Sequence, residues 1–298
     1  MTATALLAPG RLTLALLAVL CAGCATTIRP DPERLAMAEA ETGAFDHGAL
    51  DAVLNAHVDD QGRVDYAALV AAPDQLETAY ARVAAVSPDS APDRFPTQAD
   101  RFAYWINAYN TAVLRCVVDH YPITSVNDVH GPWFFDPQGA GFFYFLEPVF
   151  GGEATDLKTL EDEIIRARFT DPRFHFALNC ASAGCPKLPA EAFRPESLDA
   201  QLERETRAFF AEERNLAWDP ATNTVRLSSI LDWYAGDFLA WMAAEHPELP
   251  PTVIQYAALW APASIASELR AAIDPTIEFV PYSWALNDQN PVTPPTGD

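Results

Sequence analysis

One stretch concentrates the groups able to do chemistry: His175-Phe176-Ala177-Leu178-Asn179-Cys180-Ala181-Ser182-Ala183-Gly184-Cys185-Pro186. A thiol becomes a strong nucleophile when a neighbouring imidazole or a helix N-terminus lowers its pKa. Three chemistries fit this spacing. Cys180 and Cys185 are close enough in sequence for a disulfide staple. His175, Cys180 and Cys185 offer three zinc ligands, although no fourth ligand and no second C-x-x-C accompany them. A Cys–His–acid site, the reading given most weight, takes Cys180 as nucleophile, His175 as base and Glu161 as the acid that orients it. Phe174-His175-Phe176-Ala177-Leu178 reads as a short buried strand, and a strand that exits into a small-residue turn delivers side chains to a sheet edge where clefts form. Five extended residues span about 16 Å, so His175 reaches Cys180 only if the chain reverses after Asn179. A reversal centred near Cys180 would set His175 opposite Cys185, which keeps Cys185 as the alternative nucleophile.

The acid candidate comes from helical phase. A helix is expected from about Leu157 to Phe169, capped by Asp156 and stopped at Asp171-Pro172. At 100° per residue, Glu161 falls about 40° from Leu157, inside the apolar arc of Leu160, Ile164 and Ile165, while Asp162 and Glu163 fall on the wet face. A carboxylate aimed at a core needs a partner. It either bonds an arginine or loop amides, or it serves as an orienting acid or base. The same arithmetic on the helix that follows Thr97 and Asp100, a capping-box pair, turns Asn110 inward between Leu114 and Val117 and leaves Asn107 at the edge. Both read as binding candidates or as bonds to loop carbonyls. Asn179, Asn107 or amides near Cys180 would serve an oxyanion. Cys116 sits in that helix's apolar stripe and reads as inert. Among the histidines, His130 is a second-choice base, His120 a helix-end cation, and His47, His57 and His246 surface residues.

The elements that must position these groups follow in order: a helix near 51–58, a turn near 59–66, helix over 69–86, a proline loop, the long helix ended at Tyr121-Pro122, and an aromatic Gly/Pro stretch of short strands and loops. Helices over 196–213 and 230–244 flank a strand at 224–227, and a last strand follows at 277–280. Helices first and mixed elements after favour an α+β fold over a doubly wound sheet. Half of the 298 residues are hydrophobic, and 17 Phe, 9 Tyr and 7 Trp supply a core. The chain carries 19 Lys+Arg against 41 Asp+Glu, a net charge of −22. That balance repels polyanions and excludes nucleic acid as a partner.

The first residues read as an address. Arg11 precedes the apolar run Leu12 to Leu20, too short to span a bilayer, and Cys21-Ala22-Gly23-Cys24 follows. This resembles a bacterial lipoprotein signal, with cleavage before Cys24, acylation of Cys24, and Ala25 in keeping with outer-membrane sorting. The expected organisation is a signal peptide at 1–23, a tether at 24–46, a helical part at 47–95, a core at 96–288 and a flexible tail at 289–298. The expected location is the periplasmic face of the outer membrane, with the lipid at Cys24 as membrane partner. Three cysteines then remain, an odd number that leaves one unpaired.

Several pieces together resemble the bacterial and plant domain-of-unknown-function family 547. They are Gly62-Arg63-Val64-Asp65-Tyr66, Phe102 to Asn110, His175 to Cys180 with Cys185-Pro186, Leu231-Asp232-Trp233-Tyr234 with Asp237-Phe238, and Tyr282-Ser283-Trp284-Ala285-Leu286-Asn287. The resemblance implies a core similar to papain-like cysteine hydrolases in rearranged order, with Cys180, His175 and Glu161 as its functional residues. Where relatives often carry a histidine after that glutamate, this chain has Asp162, which moves the histidine role to His175. Two functions are expected: a thiol-dependent hydrolase or acyl transferase acting on an amide or thioester of a small molecule or peptide, or a non-catalytic envelope scaffold with a disulfide or metal at Cys180 and Cys185. No cofactor is implied.

Overall fold

The computed structural model describes residues 25–132, 137 and 139–291. The segment expected as a signal peptide, Cys24, residues 133–136 and 138, and the last seven residues lie outside them.

The helix Gln98–His120 organises the first half of the molecule. Thr97 accepts from the Asp100 amide and Asp100 returns a bond to the Thr97 amide, closing the expected capping box. From Phe102 to Leu114 every side chain of this helix is buried, so it is wrapped on all sides rather than laid on a core by one stripe. Helices Tyr66–Ala71 and Asp74–Ala85, the strand Leu146–Phe150 and the turn at Leu160–Ile165 pack around it. The helix expected over 69–86 is two helices because Pro73 caps the second, and a proline cannot continue the first.

Two small sheets complete an α+β fold. In one, Thr26–Ile28 runs parallel to Leu146–Phe150 in the register Thr26 to Leu146, and Glu153–Ala154 pairs antiparallel on the other side. In the other, Leu216–Asp219 pairs antiparallel with Thr224–Ser228, which runs parallel to Thr276–Val280. The residues expected as a tether therefore hold a strand and a helix, Pro32–Glu39, capped by Asp31. The strand is tied by the Tyr80 hydroxyl, which donates to the Ile28 carbonyl at 2.5 Å. Gln289, expected in the flexible tail, is likewise tied down: it bonds the carbonyls of Val64, His57 and Arg63. No helix among the described residues is long and apolar enough to cross a membrane.

The buried residues form two clusters, one around the long helix and one around Phe209, Phe210, Leu227, Phe238 and Tyr256. The segment expected as a strand at 174–178 joins them as a 3₁₀ turn, Pro172–Phe176, opened by Asp171 and Pro172. Phe174 enters the first cluster and Phe176 the second. Residues two apart share one face of a strand, but three residues per turn send them in different directions. The turn thus satisfies both clusters and holds His175 at their boundary.

Candidate functional site

A cleft of about 280 Å³ lies at that boundary and is lined by Glu161, His175, Cys180 and Cys185 together with Tyr109, Lys158, Trp233, Tyr234, Tyr282 and Trp284. The three residues proposed for catalysis and the alternative thiol thus meet in one place. Cys180 and Cys185 are joined as a disulfide, with Cα atoms 6.4 Å apart, and Cys116, buried in the long helix, is the free thiol among the described residues. Burial pushes the Cys116 thiol far up, in keeping with the inert role expected for it. The two bonded sulfurs, spent on each other, do not form a ligand set with His175.

The cysteine loop is shaped by polar bonds within itself and by others from the long helix. Asn179 donates to the Pro186 carbonyl at 2.8 Å and accepts from the Ala181 amide at 2.9 Å. Its own amide donates to Asn110 Oδ1, and Asn110 donates to the Ala177 carbonyl. Ala181 takes a φ of +61°, a conformation that costs a non-glycine residue free energy unless its surroundings fix it. The Asn179 bond and the Asn287 amide on the Ala181 carbonyl supply that fixing. At Gly184 a Cβ would sit 2.8 Å from the Tyr282 ring, so only glycine lets the loop and Tyr282 approach this closely. Asn110 and Asn179 thus hold backbone, and neither they nor Asn107 lines the cleft. The donors next to the sulfurs are instead the Tyr282 hydroxyl, 3.0 Å from Cys180 Sγ and 2.9 Å from Cys185 Sγ, and the Cys180 amide, 3.0 Å from Cys185 Sγ. Cys185 is buried and Cys180 is partly exposed.

His175 is buried, and its Nε2 lies 2.8 Å from Asp237 Oδ2. The carboxylate bonded to the imidazole is therefore that of Asp237, not Glu161. Arg166 donates to the same carboxylate through Nε at 2.8 Å and Nη2 at 3.1 Å, and through Nη1 to Asp162. These bonds hold the Asp237 carboxyl far below the usual carboxylate range despite partial burial. The His175 ring stacks on Tyr234 at 4.0 Å, and burial pulls its pKa down against the opposing pull of Asp237. The imidazole is neutral near pH 7 and, with Nε2 carrying the proton toward Asp237, presents Nδ1 as acceptor.

Glu161 is inward and Glu163 exposed, as the helical phase requires, while Asp162, expected to be exposed, is only partly so. Glu161 lies at the start of a π-helical turn, Leu160–Ile165, and the widened winding accumulates only beyond it. Tyr234 donates to its carboxyl, and burial raises its pKa.

Asp237, Tyr234 and Tyr282 complete the site without having been assigned a role from sequence. The signal was present, because all three stand in downstream pieces that carry the family resemblance. His47, expected at the surface, is buried and shares a bond with Asn107 Nδ2 at 3.0 Å. Asn107 also bridges both backbone groups of Phe193. To receive the Asn107 donor, His47 Nδ1 must be unprotonated, and burial together with Arg194 lowers its pKa to about 4. A lowered folded-state value stabilises above the unfolded value near 6.5 and loses that stability as pH falls toward 4. The expected loss between pH 7 and pH 4 is about 3 kcal/mol. Denaturant unfolding of wild type and His47→Asn at both pH values should isolate it, the variant lacking that part of the pH dependence.

The fold and cleft define a class: an α+β protein with a cysteine pair, a buried histidine paired to a partly exposed aspartate, and an aromatic-walled cleft over both. Residues 93–210 match the family model described as "Protein of unknown function, DUF547", which supports the family suggested by the motifs. The matched span includes Glu161, His175 and both cysteines and ends before Tyr234, Asp237 and Tyr282. No curated protein and no solved structure matches the chain.

Proposed function

We propose that the chain is a thiol-dependent hydrolase or acyl transferase acting on an amide or thioester, with Cys180 as nucleophile in a papain-like arrangement. The observation that carries this reading is that one cleft is lined both by the more exposed sulfur and by an imidazole whose Nε2 is held by a carboxylate. The disulfide is the resting form. A dithiol reductant first supplies two electrons and two protons to it. His175 Nδ1 then takes the Cys180 proton and the thiolate attacks the acyl carbon. The C–S bond forms as the amine or thiol leaves with the proton from His175. Water, deprotonated by His175, cleaves the resulting thioester and restores the thiol; an amine in place of water gives acyl transfer. The donors beside the sulfurs, the Cys180 amide and the Tyr282 hydroxyl, would serve the oxyanion; backbone amides near Cys180 were expected in that role along with Asn179 and Asn107.

The reading is tested by incubating the chain with an acyl thioester before and after dithiol treatment. Hydrolysis, or a mass increase at Cys180 equal to the acyl group, is expected only after reduction. If the reduced chain neither turns over nor acylates, the alternative stands: a binding scaffold in which the disulfide, bonded through both sulfurs to Tyr282, is a staple.

We also propose that the protein is anchored to the cell envelope through a lipid on Cys24, on the strength of the apolar run and Ala22-Gly23-Cys24. Cys24→Ser is expected to move it from the membrane fraction to the soluble periplasm. An unchanged distribution, or an intact N-terminus by mass spectrometry, would refute the anchor.

A further inference from the structure

Glu161 has no task in the chemistry above, since Asp237 holds His175. It is nonetheless a buried carboxyl that lines the cleft. Among the described residues it forms no ion pair, and the bond it accepts comes from Tyr234. A carboxylate offers about four acceptor positions, and each one withdrawn from bulk water needs a partner. The cations nearby are committed elsewhere. Lys158 lies 2.5 Å from Asp162, and Arg166 is shared between Asp162 and Asp237.

Around this carboxyl the walls are aromatic. Trp233, half exposed, stacks against Trp284 at 6.2 Å and 23°, and Tyr282 contacts both rings at 4.9 and 4.7 Å. Tyr234 and the buried Tyr109 complete the lining. The charge of Glu161 reaches all three tyrosines and helps hold their phenols protonated. Ring faces attract a cation, phenol oxygens can accept from it, and a chain of net charge −22 enriches cations at its surface. An anionic ligand would have to approach an unpaired buried carboxyl.

We infer that Glu161 and the surrounding rings form a subsite for an alkylammonium group, so that the acyl substrate carries an amine. This rests on the cleft being the substrate site. A primary ammonium has three donors, which match the Glu161 carboxylate and neighbouring phenol oxygens, while its alkyl stem lies against Trp233 and Trp284.

The test titrates the full chain, disulfide closed, with n-butylammonium, n-butanol and n-butyrate, read by tryptophan fluorescence and calorimetry. Butylammonium is expected to bind saturably and at least about tenfold more tightly than butanol. Glu161→Gln, which keeps the shape and the bond from Tyr234, should remove about tenfold of that affinity and leave butanol unaffected. Trp233→Ala, at a half-exposed position, should also weaken butylammonium without unfolding the chain. Equal binding of butylammonium and butanol, preference for butyrate, or an unchanged Glu161→Gln affinity would each overturn the subsite. Because the disulfide stays closed, these outcomes are separate from the thiol chemistry. A chain that binds the amine but never acylates would sink the hydrolase reading alone.

Discussion

Cys180→Ser is expected to abolish acyl transfer from a thioester, lowering turnover of the reduced chain at least about 10³-fold, because a serine without an ionised form at neutral pH cannot replace a thiolate. Cys185→Ser should behave in the opposite way. It leaves Cys180 without a disulfide partner, so activity should appear with no reductant present. The serine hydroxyl can still accept the Cys180 amide bond that Cys185 Sγ now receives, so the loop should keep its shape. This asymmetry follows from exposure: Cys180 is partly open to the cleft and Cys185 is buried. Steady-state hydrolysis with and without dithiol, together with alkylation followed by peptide mass analysis, checks both variants. If Cys185→Ser is inactive and Cys180→Ser active, Cys185 is the nucleophile. Alkylation of Cys116 ahead of Cys180 in the reduced protein would contradict the burial argument for that thiol.

The second large effect belongs to Asp237. Asp237→Asn keeps the side chain's shape but removes the negative charge that receives His175 Nε2 and both Arg166 donors. The imidazolium formed when Cys180 loses its proton would lose its counter-charge, and the ring would lose the bond that fixes its tautomer. Turnover is expected to fall about 10²–10⁴-fold, with little change in KM for a substrate that does not touch Asp237. Glu161→Gln should do the reverse for an amine-bearing substrate, raising KM more than it lowers kcat. Stability provides an independent readout. The folded-state pKa of Asp237 is depressed, so its contribution is present above the unfolded carboxylate value near 4 and is lost as pH falls below it. The wild type should therefore be more stable than Asp237→Asn at pH 7, and the gap should narrow in acid. The pair is partly solvent-exposed, which limits the expected difference at pH 7 to about 1–2 kcal/mol. A gap that persists unchanged below pH 3 would mean that the variant acts by misplacing Arg166 rather than through the lost charge.

Local patterns in the sequence determined the capping box at Thr97, the extent of the long helix, the inward phase of Glu161 and the burial of Cys116. Each depends on residues within a turn or two of one another, where helical geometry leaves little freedom. The grouping of His175, Cys180 and Cys185 was legible for the same reason, since an eleven-residue stretch cannot scatter far. Tertiary structure decided the rest. The carboxylate on His175 comes from 62 residues downstream, and the hydroxyl on the two sulfurs from 102 and 97 residues downstream. Glu161 and Asp237 were equally available as acids in the sequence. Loop-closure cost grows only slowly with separation, so distance along the chain does not rank such partners. His47 was taken for a surface residue because nothing adjacent to it signals that Asn107, 60 residues on, will bond it. Asn110 was read as needing a partner, whereas Asn107 was placed at a helix edge and Asn179 was taken as an oxyanion candidate; the partners of all three were set by where Phe193, Ala177 and Pro186 arrive. The segment at 174–178 has the composition of a strand and becomes a 3₁₀ turn because its two phenylalanines must enter different clusters, a demand that exists only once both clusters have formed.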